Sequence, residues 1–220
     1  MTNAEIFGYI DHTLLRAVCT REEIEKLCDE ALRFKTASVC VPPSYVEFIS
    51  NAFADLNICT VIGFPLGYNT TAVKLLETEK ALQGGAAEID MVINIGDVKN
   101  GYDDRLLQEV RQIKKVCGTN ILKVIIETCY LTEDEKIRLC SIVTDAGADY
   151  IKTSTGFGTA GATIQDVLLF KQHIGDTVKI KAAGGVKTKE DLVSFINAGA
   201  ERIGTSSAVA LLAGNTGNDY

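Results

Sequence analysis

Proline is scarce, with 3 in 220 residues, and no Pro-rich, Ser-rich or singly charged run divides the chain. Without such a linker, one compact domain is expected over 1–220, with a mobile tail from about 214. Cysteine pairs of the C-x-x-C kind are missing. The seven cysteines (Cys19, Cys28, Cys40, Cys59, Cys117, Cys129, Cys140) are odd in number and widely spaced, which fits neither a disulfide framework nor a cysteine zinc site. They read as reduced thiols, several at core positions. Histidine is limited to His12 and His173, too few for a metal cluster. No uncharged run reaches the roughly 18 residues a membrane helix needs, and MTNAEIFGYIDHTLL lacks a basic segment followed by an apolar one. A cytosolic protein is expected. Positive charge is in the minority, 22 Lys and Arg against 29 Asp and Glu, so nothing draws the chain generally to nucleic acid or acidic membranes. A small-molecule ligand or a protein partner fits better.

What the chain does have is alternation. Short runs rich in Val and Ile, at 9–13, 37–41, 59–63, 88–94, 122–127, 150–154, 178–182 and 202–205, read as eight strands. Helical stretches follow them near 20–34, 43–53, 70–83, 103–116, 132–145, 163–173, 188–197 and from about 206. Thr20-Arg-Glu-Glu23 and Thr132-Glu-Asp-Glu135 fit the capping box, in which a Thr hydroxyl and a Glu carboxylate satisfy the first free backbone N–H groups, and Thr188-Lys-Glu-Asp191 is a looser version. Eight strand–helix units predict an α/β fold, a (β/α)8 TIM barrel, with an open doubly wound sheet as the rival.

GAAEID (85–90), GADYIK (147–152) and GAERIG (199–204) repeat one pattern: a helix-ending glycine, an alanine, two variable residues, an isoleucine and a last position held by Asp90, Lys152 or Gly204. The isoleucine is expected to face the helices and the last side chain the barrel interior. Both faces of a parallel strand are buried, so alternation alone does not orient Lys123, Lys179 or Lys181. Polarity places such charges toward the polar end of the barrel, where active sites of this architecture sit. Any one of these lysines could be a solvated strand end or the partner of an acid. Lys123, Lys152, Lys181 and Asp90 together suggest more. A lysine attacks a carbonyl only as the neutral amine, and desolvation and a neighbouring ammonium can each disfavour the charged form, lowering the pKa by about 3 units. Lys181 is the expected neighbour of Lys152, and Asp90 the carboxylate that moves protons.

Gly184 and Gly185 follow the seventh strand, and Gly204-Thr205-Ser206-Ser207 ends the eighth. Backbone N–H groups at such turns bind anions, and these loops are the usual phosphate site of TIM barrels. Gly156 and Lys187 are expected to contribute. A phosphosugar isomerase would need a Glu or Cys base rather than an imine-forming amine, and a silent phosphosugar-binding regulator would keep the loops without three buried lysines.

YIDHTLL (9–15), EIDMVIN (88–94), LKVIIET (122–128), YIKTSTGF (150–157), KAAGGV (181–186) and GTSS (204–207) together resemble the class I deoxyribose-phosphate aldolase family across essentially the whole chain. The resemblance implies reversible cleavage of 2-deoxy-D-ribose 5-phosphate to D-glyceraldehyde 3-phosphate and acetaldehyde, with no metal or other cofactor. It implies Lys152 as the Schiff-base lysine, Asp90 and Lys181 as its proton-transfer or pKa-setting pair, Cys40 and Lys123 at the substrate pocket, and a homodimer. Phe157 stands where some members carry a basic residue, which shifts phosphate binding toward backbone donors and Lys187. Asp11 is expected either to touch Lys181 or substrate hydroxyls or to be structural, and His12 to be a structural hydrogen-bonding residue. Tyr220, by resemblance to chains ending in tyrosine, is expected to assist proton transfer at the enamine carbon.

Overall fold

Apolar β-branched runs build eight strands in the computed structural model, which describes residues 1–213. They are β1 (Ile10–Thr13), β2 (Ser38–Val41), β3 (Ile58–Ile62), β4 (Glu88–Val92), β5 (Ile121–Ile125), β6 (Tyr150–Lys152), β7 (Lys179–Ala183) and β8 (Arg202–Thr205). Each pairs in parallel with the next, and β8 returns to β1 through Ile10 opposite Ile203 and Asp11 opposite Gly204, so the barrel closes. The open-sheet rival is excluded. Strand β6 is shorter than expected: backbone bonds persist through Thr153, whose N–H donates to Lys181 O at 3.1 Å, and side chains then take over, the Ala183 N–H donating to Thr153 Oγ1 at 3.1 Å and the Thr155 N–H to Glu127 Oε1 at 3.2 Å.

The helices among the described residues are α1 (Asn3–Phe7), α2 (Arg21–Phe34), α3 (Val46–Ala52), α4 (Thr71–Gln83), α5 (Ile95–Lys99), α6 (Asp103–Cys117), α7 (Glu133–Asp145), α8 (Ile164–His173), α9 (Lys189–Ala198) and α10 (Ala208–Leu212). Thr20, Thr132 and Thr188 all complete reciprocal capping boxes, the last with Asp191 in the Glu role. Each such cap is worth about 1 kcal/mol. Helices α1 and α5 were not expected. The first starts on another complete box, Thr2 with Glu5, and the second on Asn94, whose side chain accepts from the Gly96 N–H at 3.0 Å.

Between sheet and helices lies the main apolar layer, which includes Ile89, Ile151 and Ile203 from the three repeats, each 0% exposed. Burying one isoleucine contributes roughly 1.5–3 kcal/mol. The repeat glycines Gly85, Gly147 and Gly199 have φ of 105°, 75° and 121°, a left-handed turn that a Cβ would strain, and so they end each helix at the same point before its strand. The side chains following those isoleucines therefore turn inward.

Candidate active site

Parallel registers set the depth of each inward residue. Asp90 on β4 lies beside Lys123 on β5, while Lys152 on β6 lies beside Lys181 on β7. Their side chains converge on one carboxylate. Asp90 Oδ2 accepts from Lys152 Nζ at 2.6 Å and from Lys181 Nζ at 2.7 Å, and Asp90 Oδ1 accepts from Lys123 Nζ at 2.9 Å. Asp90, Lys123 and Lys181 are 0% exposed, whereas Lys152, the lysine expected to react, is 3% exposed.

Under this group lies a second layer. Lys181 also donates to Asp11 Oδ2, and Arg202 Nη1 donates to Asp11 Oδ1 at 2.6 Å. Arg202 reaches Glu88 through two bonds of 3.0 Å, and Lys123 stands 2.5 Å from Glu88. Asp11 thus takes the Lys181 alternative. Isolated charges at this depth would be prohibitively costly; here every one is paired on several sides. The charges accordingly run down through the barrel instead of gathering at its polar end, as expected from polarity alone. Lys179 is outside the network: it begins β7 and pairs with Glu201 at 3.3 Å.

The pairing fixes the protonation states. Burial would raise the Asp90 pKa, but Lys123, Lys152 and Lys181 outweigh it and hold the carboxyl well below the ordinary range. Asp11 is likewise depressed: burial is overcome by Lys181, Lys123 and Arg202. Burial disfavours the Lys181 ammonium, yet Asp11 and Asp90 more than compensate and raise its pKa. Lys123 is raised in the same way, chiefly by Asp90. As for the buried Cys59 thiol, burial dominates for Glu127 and pushes its pKa up. This residue ends the β5 side of the mouth at φ 54°, an uncommon conformation for a non-glycine residue, and clamps Thr155 through its N–H and hydroxyl.

The remaining expected residues divide. Gly156, Gly184 and Gly185 come together at the barrel mouth, with φ of 89°, 73° and 75°. A Cβ on Gly161 would fall 2.4 Å from the Gly184 carbonyl carbon, and Ala162 N–H donates to Ala183 O at 3.1 Å, so the β6–α8 and β7–α9 loops pack backbone on backbone. Ser206 borders a cleft beside His12 and Arg16, and the Ser207 N–H donates to Thr205 Oγ1 at 3.1 Å. Lys187 is exposed, its N–H donating to Asp191 at the start of α9. Gly204 lies lower than a substrate contact: its missing Cβ leaves room for Lys181, whose Cε would be 3.3 Å away. Lys123 lies beneath Asp90 and not at the pocket surface, because its ammonium is used by Asp90, Glu88 and Cys59. Cys40 is buried on β2 beside Cys59. His12 pairs with Glu30 at 2.8 Å, in keeping with a structural role. Tyr220 and the tail from 214 lie outside the described residues.

Sequence reasoning missed Glu88, Arg202 and Cys59. The signal for two of them was present. Glu88, Tyr150 and Arg202 hold one position of the internal repeat, two residues before Asp90, Lys152 and Gly204, and hence share their inward face.

The arrangement sets an amine against a carboxylate shared by three lysines, below a mouth of glycine-rich loops. Comparison with known proteins gives the family. The model of the DeoC/LacD family of aldolases matches residues 6–215. A deoxyribose-phosphate aldolase from Clostridium botulinum (strain Alaska E43 / Type E3) is 60% identical over 221 residues, covering 100% of both chains. One from Clostridioides difficile (strain 630) is 56% identical, covering 98% of this chain and 99% of the other. A solved structure described as a tetrameric deoxyribose phosphate aldolase from Aeropyrum pernix superposes with a TM-score of 0.90 at 32% identity, over 96% of this chain and 91% of its own.

Proposed function

The chain belongs to the DeoC/LacD aldolase family, and from that premise we propose that it reversibly cleaves 2-deoxy-D-ribose 5-phosphate to D-glyceraldehyde 3-phosphate and acetaldehyde through an imine on Lys152. The observation that carries this reading is the Lys152–Asp90–Lys181 group, three side chains meeting at one carboxylate oxygen with contacts of 2.6 and 2.7 Å.

The neutral amine of Lys152 adds to the C1 aldehyde of the open-chain sugar, and water leaves the carbinolamine once its hydroxyl is protonated. Asp90 and Lys181 form the pair that hands protons to and from this site, with Lys123, Asp11, Glu88 and Arg202 holding the pair in place. The iminium nitrogen then draws electrons as the C2–C3 bond breaks. The C3 hydroxyl loses its proton and departs as the aldehyde of glyceraldehyde 3-phosphate, leaving an enamine on Lys152. Protonation at C2 and hydrolysis release acetaldehyde and restore the amine. The sugar phosphate is assigned to the backbone donors around Gly156, Gly184 and Gly185, with Ser206, Ser207 and Lys187 at the same end of the barrel. Tyr220 is assigned to proton transfer at the enamine carbon, and removing it alone slows exchange of the acetaldehyde α-protons.

The reaction is placed in the cytosol, a reading supported by seven free thiols. Among the described residues no helix is long and apolar enough to cross a membrane. A homodimer is part of the proposal, supported by the apolar surface that Leu66, Tyr68, Val73 and Leu76 expose around the start of α4. Light scattering at working concentrations tests it, and a monomer refutes it. For the activity, acetaldehyde release from 2-deoxy-D-ribose 5-phosphate is expected to persist in EDTA and to fall when the phosphate is missing from the substrate. No release from the phosphorylated sugar overturns the assignment.

A further inference from the structure

The barrel interior carries a second set of donors beside the lysine network. Cys40 on β2 and Cys59 on β3 are cross-strand partners, both 0% exposed, and they pack with Leu15 and Val61 in a small apolar cluster separate from the main core. On the next strand Asp90 accepts from Cys59 Sγ at 3.1 Å. The two sulfurs and a carboxylate oxygen of Asp90 all lie within 4.8 Å of one another.

We propose that Cys40, Cys59 and Asp90 form a site for one soft divalent cation of the zinc or cadmium kind, and that its occupation inhibits the enzyme. Thiolates select such ions over magnesium or calcium. In a tetrahedral zinc site with Zn–S of about 2.3 Å, ligand atoms stand roughly 3.5–3.8 Å apart, so small side-chain rotations on three adjacent strands suffice. Three protein ligands leave one position for water.

Charge argues against a metal at first sight, since Lys123, Lys152, Lys181 and Arg202 pair with three carboxylates, Asp11, Glu88 and Asp90. Binding, however, exchanges two thiol protons for one divalent cation, and the formal charge of the interior is unchanged. The exchange is also local to the thiols. Asp11, Cys59 and Glu88 form a second set within the same spacing, but the Lys123 ammonium already occupies it, 2.5 Å from Glu88 and 3.3 Å from Cys59. Lys123 on β5 also reaches Cys59 and Asp90, at 3.3 and 2.9 Å, so the proposed metal lies on their other side, toward Cys40 on β2. Once bound, the metal claims an Asp90 oxygen and sets a divalent cation beside Lys152 and Lys181. Proton exchange through Asp90 then stops. Metal binding does not depend on the aldolase reading; the inhibition does.

Titration of the reduced protein with cadmium alone, read by thiolate-to-cadmium absorption in the ultraviolet, tests the site. One equivalent is expected to bind with release of two protons, and turnover of 2-deoxy-D-ribose 5-phosphate is expected to fall with the same midpoint and return on adding EDTA. Cys40→Ser and Cys59→Ser should each weaken binding by at least about tenfold, whereas Cys19→Ser, outside the barrel interior, should not. Circular dichroism identifies which variants are folded, and either one suffices. Absence of the absorption band, or an undiminished band in the folded variants, overturns the site. A band with full turnover overturns the inhibition. A band in a chain that never turns over the sugar phosphate refutes the function while leaving the site standing.

Discussion

Asp90 is the residue on which the three interior lysines depend. Its two oxygens accept from Lys123, Lys152 and Lys181, and the fully buried Lys123 and Lys181 have no water to turn to if the charge is lost. Asp90→Asn removes the negative charge while keeping the shape, leaving buried like charges to repel. A loss of about 3–5 kcal/mol is expected, the range for breaking a buried pair from one side, read by urea denaturation. Turnover should fall with it. Lys152→Ala acts differently, since it deletes the nucleophile and relieves crowding: the variant is expected to stay folded while activity drops by about a thousandfold or more, about 4 kcal/mol of transition-state stabilisation. A Lys152→Ala variant with substantial turnover would place the chemistry elsewhere.

At the scale of strands and loops, Gly204 shows how the barrel makes room for the network. A methyl there would meet Lys181 Cε at 3.3 Å and Ala183 Cβ at 3.2 Å, and Lys181 is clamped by Asp11 and Asp90 and has little freedom to retreat. Gly204→Ala is therefore expected to destabilise by about 1–3 kcal/mol, the range for overpacking, and to lower kcat more than it raises KM, because it displaces a proton-transfer group and not a substrate contact. A variant with unchanged stability and kcat would show that Lys181 can shift freely.

Much of this element layer was legible in the sequence. The capping boxes located the starts of α2, α7 and α9, and the Gly-Ala repeat aligned Asp90 with Lys152 because a helix-ending turn and a strand recur at fixed spacing. The depth of Lys123 and Lys179 was not legible. Alternation fixes a face but not a height, and height comes from the register between strands that are far apart in the chain. The same limit hid the contact of Cys59 with Asp90, which depends on the neighbouring β3 and β4. The box at Thr2 was readable and belongs to a helix of only five residues, too short to show an apolar period.

For the whole molecule, the buried network sets the pH range of stability. Asp11 and Asp90 have folded-state pKa values below the unfolded value near about 4, so their contribution is complete above that pH and is lost as pH falls through the folded values. Lys123 and Lys181 are raised above about 10.4, so theirs is complete below that pH and is lost as pH rises past it. The Tm is expected to be highest between these limits and to fall on the acid side. Asp11→Asn should lower the plateau and make the acid limb shallower; an unchanged acid limb would mean that other carboxylates control it.

All of these effects serve one covalent event, and it can be trapped. The protein is incubated with acetaldehyde, reduced with borohydride, digested and mapped by mass spectrometry. A single ethyl group on Lys152, absent from Lys123 and Lys181 and much reduced in Asp90→Asn, is the predicted result. An unmodified Lys152 in active, acetaldehyde-saturated protein, or an adduct confined to another lysine, would contradict it.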